Sequence, residues 1–368
     1  MKRLECLDGL RGLLAVYVLL GHMAPFAAMP HWAAQALSHG GAAVDVFFML
    51  SGLVILRSLE SLQFRIRPFL VARAARIFPL YLVLFAAALC VQPLPVDYAR
   101  LPWIGPHSPA HDIWSQGWPA HWPADILLHL GMLHGMLPNA LLPGAWVSLL
   151  GSAWSLSTEW QFYVVAMLLA RRAGPRRLAG LLLLLAVAGL AWRESAPEAW
   201  QFSRAFLPHR AQFFALGLAG AGLLRGGPGG TRHYTLVLAA TLVLCAAEAR
   251  PEKLLPALLW TLCLAAQALP SHWLLRPLSR LLCHRVLLRL GLWSYGIYLA
   301  NEPIQKLLGV ALAQAAGGNA RLFTALWVPA SLALPVLAAA WLHRMVEAPA
   351  QRAGRAITAS LRPAMLPE

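Results

Sequence analysis

Apolar residues run in long stretches along this chain, at about 10–28, 42–57, 77–92, 153–170, 178–193, 209–225, 234–249, 254–270, 290–309 and 321–343. A helix needs about 20 mostly apolar residues to cross a bilayer, so these stretches predict ten membrane-spanning helices. The first starts at Leu10 and is not followed by a convincing small-residue cleavage site, so it is expected to remain as a span rather than leave as a signal peptide. An eleventh stretch, 125–142, is interrupted by His129, His134, Pro138 and Asn139. The expected fold class is all-α, a polytopic integral membrane protein of about ten helices.

Composition removes the main alternative. Of 368 residues, 59% are apolar and 12% charged, with a mean hydropathy of +0.60, whereas soluble domains carry about a quarter charged residues. The net charge of +15 would suggest nucleic acid in a soluble protein. In a membrane protein the same excess marks the cytoplasmic loops. With ten crossings and a cytoplasmic N-terminus, 22 of the 30 Lys and Arg fall on the cytoplasmic side. Seven fall outside, among them Arg204 and Arg210, and Lys306 lies within a span. If 125–142 crossed as well, Arg171, Arg172, Arg176 and Arg177 would move to the external side. Both termini are therefore expected inside, with 93–152 as one long external segment rich in Trp. The partners expected are a lipid bilayer and no nucleic acid. The domain expected is 1–350, followed by a short basic tail, 351–368.

Ionisable groups are costly in hydrocarbon and mark functional sites there. They are few: His22, Asp45, Glu159 and Glu302, with the polar Asn301 beside the last. At about 1.5 Å per residue, all five are expected in the outer half of the membrane. Arg11, Arg73 and Arg76 are expected at the inner face, where Arg73 and Arg76, three apart, share one side of a helix. A planar guanidinium fork suits phosphate, so the layout predicts an anion site beneath an acid/base site. Taken singly, each residue has a plainer reading: His22 as packing, Asp45 or Glu159 as a buried ion pair, the arginines as topological anchors. Ser294, Tyr295 and Tyr298 read most simply as interhelical hydrogen-bonding residues. The five cysteines are scattered without a CxxC pair, so neither a disulfide framework nor a zinc cluster is expected. His107 and His111 lie in a proline-rich stretch unsuited to a metal site, and no metal is expected. The glycine-rich 226–230 lacks the Lys-Ser/Thr of a nucleotide loop.

Five ordered motifs are more specific than any one residue. Leu7-Asp8-Gly9-Leu10-Arg11-Gly12 precedes His22; Asp45-Val46-Phe47-Phe48 leads into Ser51-Gly52-Leu53; then come Arg73-x-x-Arg76-x-x-Pro79, Trp154-Ser155-Leu156 with Glu159 and Phe162-Tyr163, and Ser294-Tyr295-Gly296-Ile297-Tyr298-Leu299. Together they resemble the acyltransferase-3 family of integral membrane proteins, from Leu7 to about Pro349. The resemblance implies a ten-helix domain in the bacterial inner membrane. It also implies an O-acyltransferase that takes an acyl group from cytoplasmic acyl-coenzyme A, with acetyl the expected group. The acceptor would be an extracytoplasmic hydroxyl, on a cell-envelope glycan, a glycolipid or a small molecule.

By match to the family motifs, His22 would be the essential histidine, Arg73 and Arg76 with Arg11 the donor-binding arginines, and Asp45 and Glu159 the acidic positions. Trp154, Ser155, Tyr163, Arg210, Ser294, Tyr295, Tyr298, Asn301 and Glu302 are expected to support substrate or structure. The sequence departs from the family where a second histidine commonly follows the Tyr-Leu of the ninth helix and Asn301 stands instead. A stand-alone form without a C-terminal hydrolase-like domain is expected. In the expected mechanism His22 acts as general base while Asp45 or Glu159 holds its ring; an acyl-histidine intermediate is the variant. A transporter or flippase for an anionic or lipid-linked substrate is the alternative from another class, although the two halves of the chain show no internal repeat.

Overall fold

A computed structural model describes residues 4–114, 117–248 and 251–361. Lys2, Arg3, Arg250 and Arg362 of the charge tally lie outside these, as does the end of the basic tail. The described residues are helical, with no β-strand among them. The helices are α1 (Glu5–Met23), α2 (His31–Leu37), α3 (Gly40–Ser61), α4 (Ile66–Val91), α5 (Ala110–Ile113), α6 (Trp122–Leu130) and α7 (Trp154–Ser195). They continue with α8 (Ala211–Leu224), α9 (Gly230–Ala247), α10 (Leu254–Ala268), α11 (Arg276–Leu282), α12 (Arg285–Ala316), α13 (Ala320–Leu342) and α14 (Ala348–Ser360). Among the described residues six helical stretches are long and apolar enough to cross a membrane. The apolar α8 and α10 are shorter, at 14 and 15 residues, and α12 carries Arg285, Arg289, Glu302 and Lys306 along its 32 residues.

The stretches 153–170 and 178–193 both fall on α7, which is broken at Gly174 (φ 69°, ψ 169°) just before Pro175. The break is a reversal. Gln161, before it, bonds Leu207 N and Ala205 O at 2.9 and 3.0 Å. Gly189, after it, is so close to Pro208 that a Cβ would stand 2.7 Å from the proline ring. In a straight helix those residues would be about 42 Å apart. Both arms of α7 therefore meet the one segment 205–208, as two antiparallel helices joined at a left-handed glycine.

Glycines also set the closest helix contacts. A Cβ on Gly12 of α1 would lie 2.3 Å from Leu287 O of α12, and one on Gly291 of α12 would lie 2.0 Å from Asp8 O. Likewise, a Cβ on Gly52 of α3 would approach Phe214 O of α8 to 2.4 Å, and one on Gly217 of α8 would approach Met49 O to 2.0 Å. Small residues at such crossings let backbones pack directly in lipid, where no hydrophobic drive holds helices together. The glycines of the Asp8-to-Gly12 and Ser51-Gly52 motifs thus fix α1 on α12 and α3 on α8.

Residues 93–152 are mostly turns around α5 and the nine-residue α6. At about 13 Å, α6 is too short to cross a bilayer. The expected boundary at 350 falls inside α14, which packs on α4: a Cβ on Gly354 would stand 2.4 Å from the Ala75 methyl, and Thr358 Oγ1 donates to Pro68 O at 3.5 Å. The described part of the tail is therefore a packed helix.

Candidate active site

Two cavities follow one another along the same four helices. The first takes Arg11 from α1, Arg73 and Arg76 from α4, Glu159 and Tyr163 from α7, and Tyr295 and Tyr298 from α12. The second takes His22 from α1, Gln92 just past α4, Trp154 from α7, and Glu302 and Lys306 from α12. Arg11 and His22 are separated by about 16 Å along α1. The order reverses on α7, which runs the opposite way.

The arginine cavity encloses about 90 Å³. Its charged lining is three guanidiniums against one carboxylate, Glu159. Glu159 Oε1 accepts from Ser51 Oγ and from Tyr163 OH, the latter at 2.5 Å, which holds it between α3 and α7. Ser155 Oγ donates to Tyr298 OH at 2.9 Å, Tyr295 OH to Ile77 O at 2.7 Å, and Ser294 Oγ to Gly291 O at 2.8 Å. Arg11 Nε and Arg73 Nε are buried with no hydrogen-bond partner among the described residues. Buried donors are nearly always paired, so these two suit an anion not present in the structure.

Arg73 and Arg76 stand on α4, which begins before its apolar part. Helix α4 starts at Ile66, eleven residues before the apolar stretch, so the pair sits about 10–15 Å along the helix. There they share one chamber with Glu159, which was expected in a separate, higher layer.

The histidine cavity is larger, about 280 Å³. His22 Nδ1 and Asn301 Oδ1 are 2.6 Å apart. Asn301 Nδ2 donates to Tyr298 O and, at 3.4 Å, to Ile297 O. Carbonyls only accept, so the amide nitrogen is fixed on them and its oxygen faces the ring. His22 Nδ1 must then carry the proton, and Nε2 keeps its lone pair. Beside it, Glu302 accepts from Gly151 N at 3.0 Å and Ser152 N at 2.8 Å, pinning the turn before α7. Lys306 Nζ donates to Gln92 O at 3.1 Å. Arg204 stacks over Trp146 at 4.8 Å and Trp154 at 5.6 Å.

Neither carboxylate expected to hold the His22 ring does so. Asp45 accepts instead from Arg210 Nη1, at 3.1 and 3.3 Å. Both residues of that pair are buried, so Arg210, counted with an external segment and expected to support substrate or structure, ties the entry of α8 to α3. Glu159 belongs to the arginine cavity. The five groups thus divide: His22 and Glu302 line the second cavity, with the fully buried Asn301 behind His22, Glu159 lines the first, and Asp45 lines neither. Sequence reasoning assigned no site role to Ser51, Asp112 or Arg204, and read Trp146 only as one of the tryptophans of 93–152 suited to lipid headgroups or to covering a site. Ser51 alone had a signal, its place in a motif. His111 bonds Gly105 O at 3.2 Å. Among the described residues no cluster of three or more His, Cys, Asp or Glu has metal-binding proximity.

Comparison with known proteins agrees with the motif reading. A family model described as an acyltransferase domain, acyltransferase-3, matches residues 4–344. The acyltransferase MdmB of Streptomyces mycarofaciens is 29% identical over 398 aligned residues, covering 95% of this chain and 92% of the relative. No solved structure matches the chain.

Proposed function

The chain belongs to the acyltransferase-3 family and is an O-acyltransferase, and from that premise we propose that its two cavities are the donor and acceptor ends of one transfer path through a bacterial inner membrane. The carrying observation is their succession along α1, α4, α7 and α12. The donor is an acyl-coenzyme A, with acetyl as its acyl group, entering from the cytoplasm. Its phosphates bind Arg11, Arg73 and Arg76, and its narrow pantetheine arm runs past Tyr298 and Ser155 toward His22. The chain crosses ten times, with both termini cytoplasmic and 93–152 covering the external mouth. The charge asymmetry supports that orientation, and the reversal at Gly174 supports counting α7 twice.

In the transfer, an acceptor hydroxyl reaches His22 through the second cavity. His22 Nε2 takes its proton as the oxygen attacks the thioester carbonyl. The tetrahedral intermediate collapses with cleavage of the C–S bond, and the coenzyme A thiolate leaves and takes the proton back from the imidazolium. Asn301 Oδ1, accepting from Nδ1–H, keeps Nε2 aimed at the hydroxyl throughout. A second histidine is not required, because an amide oxygen suffices to fix the tautomer. Arg210 and Asp45 position α8 against α3. The acceptor is a hydroxyl-bearing cell-envelope glycan, glycolipid or small molecule.

Purified protein given radiolabelled acetyl-coenzyme A and an acceptor extract should release coenzyme A and label the acceptor. Absence of both would support a transporter instead. Mass spectrometry of envelope glycans with and without the gene should show loss of an acetyl mass from the natural acceptor.

A further inference from the structure

The glycine-rich turn 226–230 has no part in that path, yet it walls a third cavity. This cavity, about 420 Å³, lies where the reversal of α7 meets the turn between α8 and α9. It is on the same end of the molecule as the arginine cavity, beyond it along α7. Arg176, Arg177, Arg225 and His233 line it, with Gly222 and Gly227 on its walls. A Cβ on either glycine would meet nothing within 4 Å, so the missing side chains leave open room.

Arg176 Nη2 donates to Pro228 O at 2.8 Å, which fixes that guanidinium to the wall. Arg225 Nη2 pairs with Glu60 at 2.6 Å. One carboxylate against three guanidiniums leaves the cavity two positive charges in excess. Gly229, at φ 72°, starts the 18-residue α9 without a side-chain cap, and Gly230 lines the cavity. The positive end of that helix adds to the same field. Next to this polar chamber the surface is apolar. Leu181 and Leu184, on the second arm of α7, are 41% and 67% exposed, and Leu236 on α9 is 61% exposed. They stand about 8–12 Å along their helices from Arg176 and Gly230, the step from a headgroup to its chains.

We propose that this cavity binds the phosphate headgroup of an anionic phospholipid whose acyl chains lie along Leu181, Leu184 and Leu236. Basic pockets between membrane helices on the cytoplasmic side take such headgroups. The leucines favour a lipid over free phosphate, because a soluble anion has no use for an apolar flank.

The test is native mass spectrometry of the delipidated full chain titrated with phosphatidylglycerol or phosphatidylcholine. Wild type should retain one phosphatidylglycerol in preference to phosphatidylcholine. Arg176→Ala/Arg177→Ala should weaken that retention about tenfold. Gly222→Leu, which keeps every arginine and fills the cavity, should weaken it too, with both variants checked for an unchanged melting temperature. If the arginine variant does not fold, Gly222→Leu and the comparison of the two lipids decide. Equal retention of both lipids, or unaltered retention in the folded variants, would overturn the proposal. So would displacement of the lipid by inorganic phosphate or coenzyme A, which would assign the cavity to a soluble phosphate.

Discussion

The two cavities on α1, α4, α7 and α12 are built in opposite ways. In the arginine cavity the carboxylate and several hydroxyls are held, Glu159 by Ser51 of α3 and by Tyr163 of its own helix and Ser155 by Tyr298 of α12, around guanidiniums of which Arg11 Nε and Arg73 Nε have no partner among the described residues. The histidine cavity sets the His22–Asn301 dyad beside Glu302 and Lys306, which bond backbone outside the long helices, and part of its wall is Asp112, Trp146 and Ser152 from the short elements and turns of 93–152. A constant donor suits a rigid, preorganised chamber; an acceptor that must enter and leave suits a wall of turns. Loops carry recognition where helices supply the frame.

That contrast is broken most directly at His22. Removing a general base costs about 10²–10⁴-fold, so His22→Ala should lose that much kcat while its KM for acetyl-coenzyme A stays put, read by coenzyme A release. Asp45 supplies the opposite control. Asp45→Ala leaves Arg210 buried and unpaired, a loss of about 3–5 kcal/mol, which should appear as a lower melting temperature. Adding Arg210→Ala should recover part of it. A large kcat loss in a thermally normal Asp45→Ala would move Asp45 into the chemistry.

Arg73→Ala should act on the other cavity. A hydrogen bond to a charged group is worth about 1.5–3 kcal/mol, so KM for the donor should rise about ten- to a hundredfold with kcat less affected. Asn301→Ala should do the reverse, lowering kcat about tenfold through the freed ring while leaving donor KM unchanged, and Asn301→Asp, which keeps an acceptor oxygen, should restore much of it.

A separate effect, on stability rather than turnover, lies in the segment 93–152. His129 and His134 stack 4.0 Å apart, and burial pulls His129 down to about 4 and His134 well below the usual imidazole range. Unfolded, both would titrate near 6.5. The unfolded chain therefore binds more protons between pH 6.5 and 4, and stability present above 6.5 is lost as pH falls through that window. At pH 5 the loss should be about 1–2 kcal/mol for each histidine. His129→Phe, which keeps the stack on Phe85, should flatten the pH dependence of the melting temperature.

How far the sequence could be read follows the same divide. The positions of Arg11, Arg73, Arg76, Glu159 and His22 on helices were legible because a polar residue stands out in an apolar run. Their partners were not. Spacing gives depth along a helix but not the face turned to a neighbour, so Asp45 could not be told from Glu159 until Arg210 was seen against it. That Arg73 and Arg76 share a chamber with Glu159 was missed for the same reason. Residues of 93–152 and Arg204 have no period to read; only the folded chain brings them over His22.

Sided membrane vesicles test the shared path most directly. Labelled acetyl-coenzyme A added outside inverted vesicles, whose cytoplasmic face points outward, should label acceptor enclosed in the lumen. Added outside right-side-out vesicles, it should label nothing until they are permeabilised. Equal labelling from both sides of intact vesicles, or undiminished labelling by His22→Ala in the inverted ones, would contradict a donor entering at the arginines and an acceptor meeting it at His22.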